Sequence, residues 1–148
     1  MQASEEKVRR IGLEAMGAWG KGTFDNDIAL DWVGCLNDME DLTLIRETIA
    51  EVLSTGSEYL ELELACEALA AWEVVAWLKG NCGKRDGYTE GVEAWVRQHP
   101  IAPPAELVHR AVQALDRIAS PPSELLEEAE GDAEWRALLT DLRARVGG

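Results

Sequence analysis

The sequence has few of the features that mark several common classes of protein. Its three cysteines, Cys35, Cys66 and Cys82, are an odd number without paired spacing, which argues against a disulfide scaffold. We expect them to be reduced, buried small apolar groups. No apolar run approaches the length of a membrane span, and no basic-then-apolar signal opens the chain. These absences predict a cytoplasmic protein that does not enter the membrane.

Basic residues are also scarce, since 14 Lys and Arg face 28 Asp and Glu and leave a formal net charge of -14. Nucleic-acid binding draws much of its affinity from basic side chains that release counterions, and no basic stripe is present here. An anionic membrane surface is disfavoured for the same reason. The charge balance instead suits an acidic surface that attracts a basic protein over about 8 Å at physiological salt.

Strand-like alternation of apolar and polar residues is absent after residue 28, where apolar residues recur at helical spacing. Proline pairs at 103–104 and 121–122 and short polar turns separate the apolar stripes. The pattern predicts an all-α bundle of six or seven helices without an internal repeat. We assign residues 16–148 to a single helical domain and residues 1–15 to an N-terminal extension.

One predicted helix, at about 59–79, differs from the others because its second half, ALAAWEVVAWLK, is apolar on nearly every side. A helix without a polar face is usually surrounded by other helices. We therefore place it at the centre of the bundle. Gly80 should end it in a left-handed conformation, with Lys79 near the negative end of the helix dipole.

A segment rich in glycine, tryptophan and aspartate, MGAWGKGTFDND, precedes the first regular helix. It lacks the preceding strand and the spacing of a phosphate-binding loop. Trp19 and Phe24 are large apolar anchors, and the glycines between them let the backbone pass close to a helix. We expect this opening loop to pack into the helical core.

Three aspartates in and after the loop have oxygen ligands of the kind that hard cations prefer. Asp25 and Asp27 have the spacing that opens a calcium loop, and Asp31 follows them, but the later ligands of such a loop are missing. Helix capping by Asp25 and a favourable charge from Asp27 at the helix N-terminus explain the pair without a metal. The two histidines have no partners at zinc spacing. We expect no metal and no cofactor.

Glu73 is the only acidic residue between Ala68 and Leu78 in the central helix. A buried carboxylate needs a cationic or amide partner, or must be protonated. The candidate partners are the amides of the opening loop and the side chains of Lys21, Arg46 and Arg110. A buried carboxylate with a shifted pKa can also act as a general base, so Glu73 is the candidate catalytic residue.

The residues MGAWGKGTFDNDIALDWVGCL, followed by LTLIRETIAEVL, ALAAWEVVAWLKG and WRALLTDLRARV, resemble a bacterial family known as domain of unknown function 4259. The likeness covers residues 16–146. It implies a stand-alone bacterial protein whose start corresponds to Met16, so that residues 1–15 lie upstream of the true start. It implies no activity, cofactor or catalytic residue.

Three hypotheses of function stay open. The leading one is a non-catalytic acidic interaction protein, such as an inhibitor or immunity-like protein, whose binding weakens with salt and slows when Glu58, Glu61 or Glu63 is changed. The second is a small hydrolase or metal-dependent enzyme, and the third a self-associating structural protein. A binding site from the opening loop and central helix would use Trp19, Phe24, Asp25, Asp27, Asp31 and Glu73. One or two exposed tryptophans among the six would mark a binding face.

Overall fold

The computed structural model of the chain describes residues 27–83, 89–128 and 133–147, and these residues form seven α-helices and no strand. The helices are α1 (Asp27–Leu36), α2 (Thr43–Ser54), α3 (Leu62–Leu78), α4 (Glu90–Gln98), α5 (Ala105–Ile118), α6 (Glu124–Glu128) and α7 (Ala133–Gly147). The all-α prediction is confirmed. Most of the opening loop and the predicted extension lie outside the described residues, so both stay predictions.

Helix α3 is the centre of the bundle, as its composition predicts. It contacts each of the other six described helices, and every residue from Ala68 to Trp77 is buried. Its C-terminus ends at Gly80, which has a positive φ of 84°. The amide of Gly80 donates to the Trp77 carbonyl at 3.0 Å and that of Asn81 to the Ala76 carbonyl at 2.9 Å, which is the Schellman arrangement.

Helix α3 begins three residues later than predicted, because Leu60 pairs with another part of the chain. The Leu60 amide donates to the Pro122 carbonyl at 3.1 Å, and the Leu60 carbonyl accepts from the Glu124 amide at 2.9 Å. This isolated parallel bridge holds the turn before α3 against the turn before α6. Ser123 lies buried in the bridge and its hydroxyl accepts from the Leu126 amide at 3.4 Å, as expected of a helix cap.

Arg117, near the end of α5, joins the same two turns. Its guanidinium donates through Nε to the Gly56 carbonyl at 2.7 Å and through Nη2 to the Glu58 carbonyl at 2.6 Å. On the other side it donates to the carbonyls of Ser120 at 2.9 Å and Pro122 at 3.0 Å. One side chain therefore satisfies four backbone acceptors, two from each turn.

None of the three cysteines is in a disulfide, and only Cys66 is buried. Burial, with smaller contributions from the charges of Glu124 and Glu67, raises the pKa of the Cys66 thiol to about 12, so it stays protonated and unreactive. The expectation of buried thiols is wrong for Cys35 and Cys82, which are exposed. Cys35 follows Trp32 and Val33 on α1 but falls outside the buried stripe of that helix.

Candidate functional site

The structure places only part of the predicted site within the described residues. Glu73 is buried in α3 with 5% of its surface exposed, whereas Asp27 and Asp31 are exposed on α1. Trp19, Phe24 and Asp25 lie outside the described ranges. No group of three or more metal-ligating side chains occurs among the residues that the structure describes. Convergence of the loop aspartates on Glu73 therefore stays a prediction.

Glu73 forms a bidentate ion pair with Arg145 of α7. Its Oε1 accepts from Nη1 at 2.6 Å and its Oε2 from Nη2 at 3.1 Å, which is the fork geometry of a strong charge-assisted pair. Both side chains are largely buried, with 6% of Glu73 and 15% of Arg145 exposed. The expected cationic partner of Glu73 is thus present, although it is not one of the residues proposed from the sequence.

The three side chains proposed as partners of Glu73 are placed differently. Arg46 pairs with Glu106 on the surface, between α2 and α5. Arg110 is exposed on α5, and Lys21 lies outside the described residues. Helical spacing gives the face on which Arg145 lies but not the helix that this face meets, so the sequence offers no signal that joins residues 73 and 145.

Further contacts complete this buried cluster. The Arg145 Nε donates to Asp141 Oδ2 at 2.8 Å, and the Trp77 indole donates to Glu73 Oε1 at 3.3 Å. Burial alone lowers the pKa of the Arg145 guanidinium, but hydrogen bonds and charge from Glu73 and Asp141 more than offset this and leave that pKa raised. The guanidinium is therefore held as a cation.

Hydrogen bonds also join the C-terminal ends of α3 and α7. Lys79 donates to the Val146 carbonyl at 2.6 Å and Asn81 donates through Nδ2 to the Arg145 carbonyl at 3.0 Å. These donors meet carbonyls that the last turn of α7 leaves without intrahelical partners. A Cβ at Gly83 would come within 2.9 Å of the Arg145 guanidinium, so any other residue at this position would require that side chain to shift. The arrangement holds two helices together.

A second group of charged residues lies where α2 approaches the first half of α3. We call Glu51, Glu63 and Glu67 the acidic face. Burial raises the pKa of Glu67, and the neighbouring charges of Glu63 and Glu51 raise it further. No Lys or Arg of the described part of the chain forms an ion pair with these three carboxylates. Like charges are therefore held together without compensation.

Exposed tryptophans, by contrast, do not mark a binding face in the described ranges. The five that lie there are all buried, with the largest exposed fraction, 9%, at Trp135: Trp32, Trp72, Trp77, Trp95 and Trp135. They belong to one core cluster that includes residues of every described helix. Glu58, Glu61 and Glu63, named from the sequence as acids for a partner, are exposed as expected.

Comparison with known proteins gives the family but no activity. No curated protein and no solved structure matches the chain. None of the described helices is long and apolar enough to cross a membrane. The family model described as "Domain of unknown function (DUF4259)" matches residues 17–137. Since this match spans most of the chain, the protein belongs to the DUF4259 family, as its sequence predicts.

Proposed function

We propose that this chain is a small acidic interaction protein that binds a basic protein through its acidic face. The observation that carries the proposal is the cluster of Glu51, Glu63 and Glu67, in which mutual repulsion adds to burial and raises the pKa of Glu67. Lys or Arg side chains of a partner would relieve that repulsion on binding. Such binding suits an inhibitor or immunity-like protein acting in the cytoplasm on a basic target.

The net charge of the whole chain supports the same proposal. A formal charge of -14 attracts a basic partner from a distance. The clustered carboxylates are the site on the surface to which that partner would bind. Exposed ion pairs are screened by salt, so the association should weaken as ionic strength rises. The net charge of the chain therefore steers the partner, and the acidic face provides the contact.

The titration of Glu67 should change the stability of the fold as the pH changes. Because the folded-state pKa is raised, the ionised carboxylate destabilises the fold above that pKa, and the effect vanishes below the ordinary value of 4.5. Glu67→Gln should therefore unfold at higher urea concentration than the parent at pH 7 and at the same concentration at a pH well below 4.5. Equal midpoints at pH 7 would contradict the like-charge cluster.

Binding can be tested with a fluorescein-labelled hepta-lysine peptide as the probe, measured by anisotropy at low salt. The face variant carries Glu51→Gln, Glu63→Gln and Glu67→Gln. If three exposed ion pairs contribute about 0.5 kcal/mol each, the dissociation constant should rise about tenfold. Raised salt should weaken the parent complex and narrow this difference.

The matched control removes the same number of charges elsewhere on the surface. Asp27→Asn, Asp31→Asn and Asp38→Asn are exposed substitutions on and after α1 that leave the acidic face intact. This control should bind hepta-lysine nearly as well as the parent. Equal losses in the two triple variants would show that only total charge matters and would overturn the proposed face.

The natural partner can be sought with the same two variants. Tagged parent, face variant and control are used to capture proteins from a lysate of the source organism, at low and raised salt. We expect a basic protein that the parent and the control retain and the face variant does not. Recovery of the chain alone, in a concentration-dependent oligomer, would favour the self-associating alternative.

A further inference from the structure

A cleft with a volume of about 430 Å³ opens where α5, α6 and α7 meet. This volume lies within the range of about 300 to 1,000 Å³ that is usual for small-molecule sites. Leu115 and Trp135 are buried in its floor, and Leu126 and Leu139 pack beside them, partly buried, against the core. The floor is thus apolar and continuous with the interior of the bundle.

The polar part of the lining is positively charged, in contrast to the rest of the chain. Two arginines, Arg136 and Arg143, and one aspartate, Asp116, leave it with a net positive charge, whereas the whole chain carries -14. Arg136, Thr140 and Arg143 are spaced by four and three residues, so they lie along one side of α7.

The two arginines differ in their ion-pair partners. Arg143 pairs with Asp116 across the cleft, with Nε 3.0 Å from Oδ1 and Nη2 3.3 Å from Oδ2. Arg136 is exposed, and no acid in the described ranges forms an ion pair with it. A guanidinium beside an apolar floor can therefore receive a carboxylate, since its planar fork matches the two oxygens.

We propose that this cleft binds a small monocarboxylate with an apolar body, its carboxylate on Arg136 and its body against the indole of Trp135. The indole offers a large, rigid apolar surface. The Thr140 hydroxyl is one turn along α7 from Arg136 and can donate to the same carboxylate. This site is separate from the acidic face on α2 and α3, so it does not depend on the proposed protein partner.

The test uses two carboxylates with different bodies, decanoate and 1-naphthoate, and the uncharged 1-naphthamide, each titrated into the full chain by calorimetry. We expect both carboxylates to bind in a saturable manner and the amide to bind about tenfold more weakly than naphthoate, the effect of roughly one charge-assisted contact. The order of the two carboxylate affinities identifies the body as aliphatic or aromatic. Absence of saturable binding by both overturns the proposal.

Two variants and one control locate the binding. Arg136→Gln should weaken naphthoate about tenfold and leave the amide unchanged. Ala119→Phe, which fills the cleft from the residue that follows α5 without altering its charges, should abolish binding of naphthoate and of the amide. Arg97→Gln removes the same charge from α4, away from the cleft, and should change nothing.

Spectra of protein labelled with ¹⁵N in its tryptophan side chains give an independent readout. The indole signal lost in Trp135→Phe assigns Trp135, and the ring current of naphthoate should shift that signal more than those of the other five tryptophans. Binding that leaves the Trp135 signal in place, or that survives both Arg136→Gln and Ala119→Phe, occurs elsewhere and overturns the proposal.

Discussion

Replacing Arg145 by alanine should lower the free energy of unfolding by about 3–5 kcal/mol, the usual effect of removing one partner of a buried ion pair. The substitution leaves the carboxylate of Glu73, which is 5% exposed, without both of its guanidinium contacts. It also frees Asp141, which accepts from the Arg145 Nε. Urea denaturation followed by far-ultraviolet circular dichroism measures the difference.

Glu73→Gln separates the structural and the catalytic interpretations of the same residue. A catalytic carboxylate could be replaced by its amide with loss of activity and retention of the fold. The ion pair predicts instead that Glu73→Gln lowers the unfolding midpoint. The amide removes the buried counter-charge of Arg145 and leaves this largely buried cation with the exposed Asp141 as its ion-pair partner. An unchanged unfolding midpoint would contradict the structural role and favour the enzyme hypothesis.

A double variant provides the control for both substitutions. Glu73→Leu combined with Arg145→Met replaces the pair by apolar side chains and should recover most of the lost stability, since such replacements are often neutral or stabilising. A cycle built from the single variants Glu73→Leu and Arg145→Met and this double variant gives the interaction energy directly. Additive effects in that cycle would show that the two side chains do not depend on one another.

Replacing Arg117 by alanine should lower the free energy of unfolding by about 2–3 kcal/mol. Hydrogen bonds from a charged donor contribute about 1.5–3 kcal/mol, and these four share the guanidinium of one partly buried residue. The carbonyls of Gly56 and Glu58 on one turn, and of Ser120 and Pro122 on the other, would lose their common donor. The loss should appear both in urea denaturation and as faster hydrogen exchange at the amides of Leu60 and Glu124, which form the adjoining bridge.

Two variants distinguish this contact from a general effect of charge. Arg117→Lys keeps the charge but places its donors on one nitrogen, so it should recover only part of the stability. Arg110→Ala removes an exposed arginine from the same helix and should change stability by less than about 0.5 kcal/mol. A fully stable Arg117→Ala variant would mean that water replaces the guanidinium at little cost.

The sequence predicts the elements of the fold well, because their signals are local. Helical spacing of apolar residues, proline and glycine at the ends, and the missing polar face of α3 each depend on a few neighbouring residues. Such a signal predicts that Gly80 ends α3, and its positive φ confirms this prediction. The family also follows from a short motif and is confirmed by the match over residues 17–137.

The contacts between distant residues could not be predicted in the same way. Glu73 needs a cation, but the choice of Arg145 over Arg46 or Arg110 depends on how α7 packs against α3. The cleft likewise exists only because α5, α6 and α7 meet, so nothing in the spacing of Arg136 and Trp135 indicates its apolar floor. The prediction that Cys35 is buried is wrong, because this residue lies beside the buried stripe of α1 and not within it.

The ion pair between α3 and α7 also has a consequence for how the helices find their alignment. The apolar surface of α3 would accept an apolar helix in many positions along its length, since burial of hydrocarbon is not directional. Sliding α7 by one turn would carry Arg145 about 5.4 Å from Glu73 and strand a carboxylate in the core. We therefore infer that this buried ion pair favours one register of α7 among several that apolar packing alone would allow.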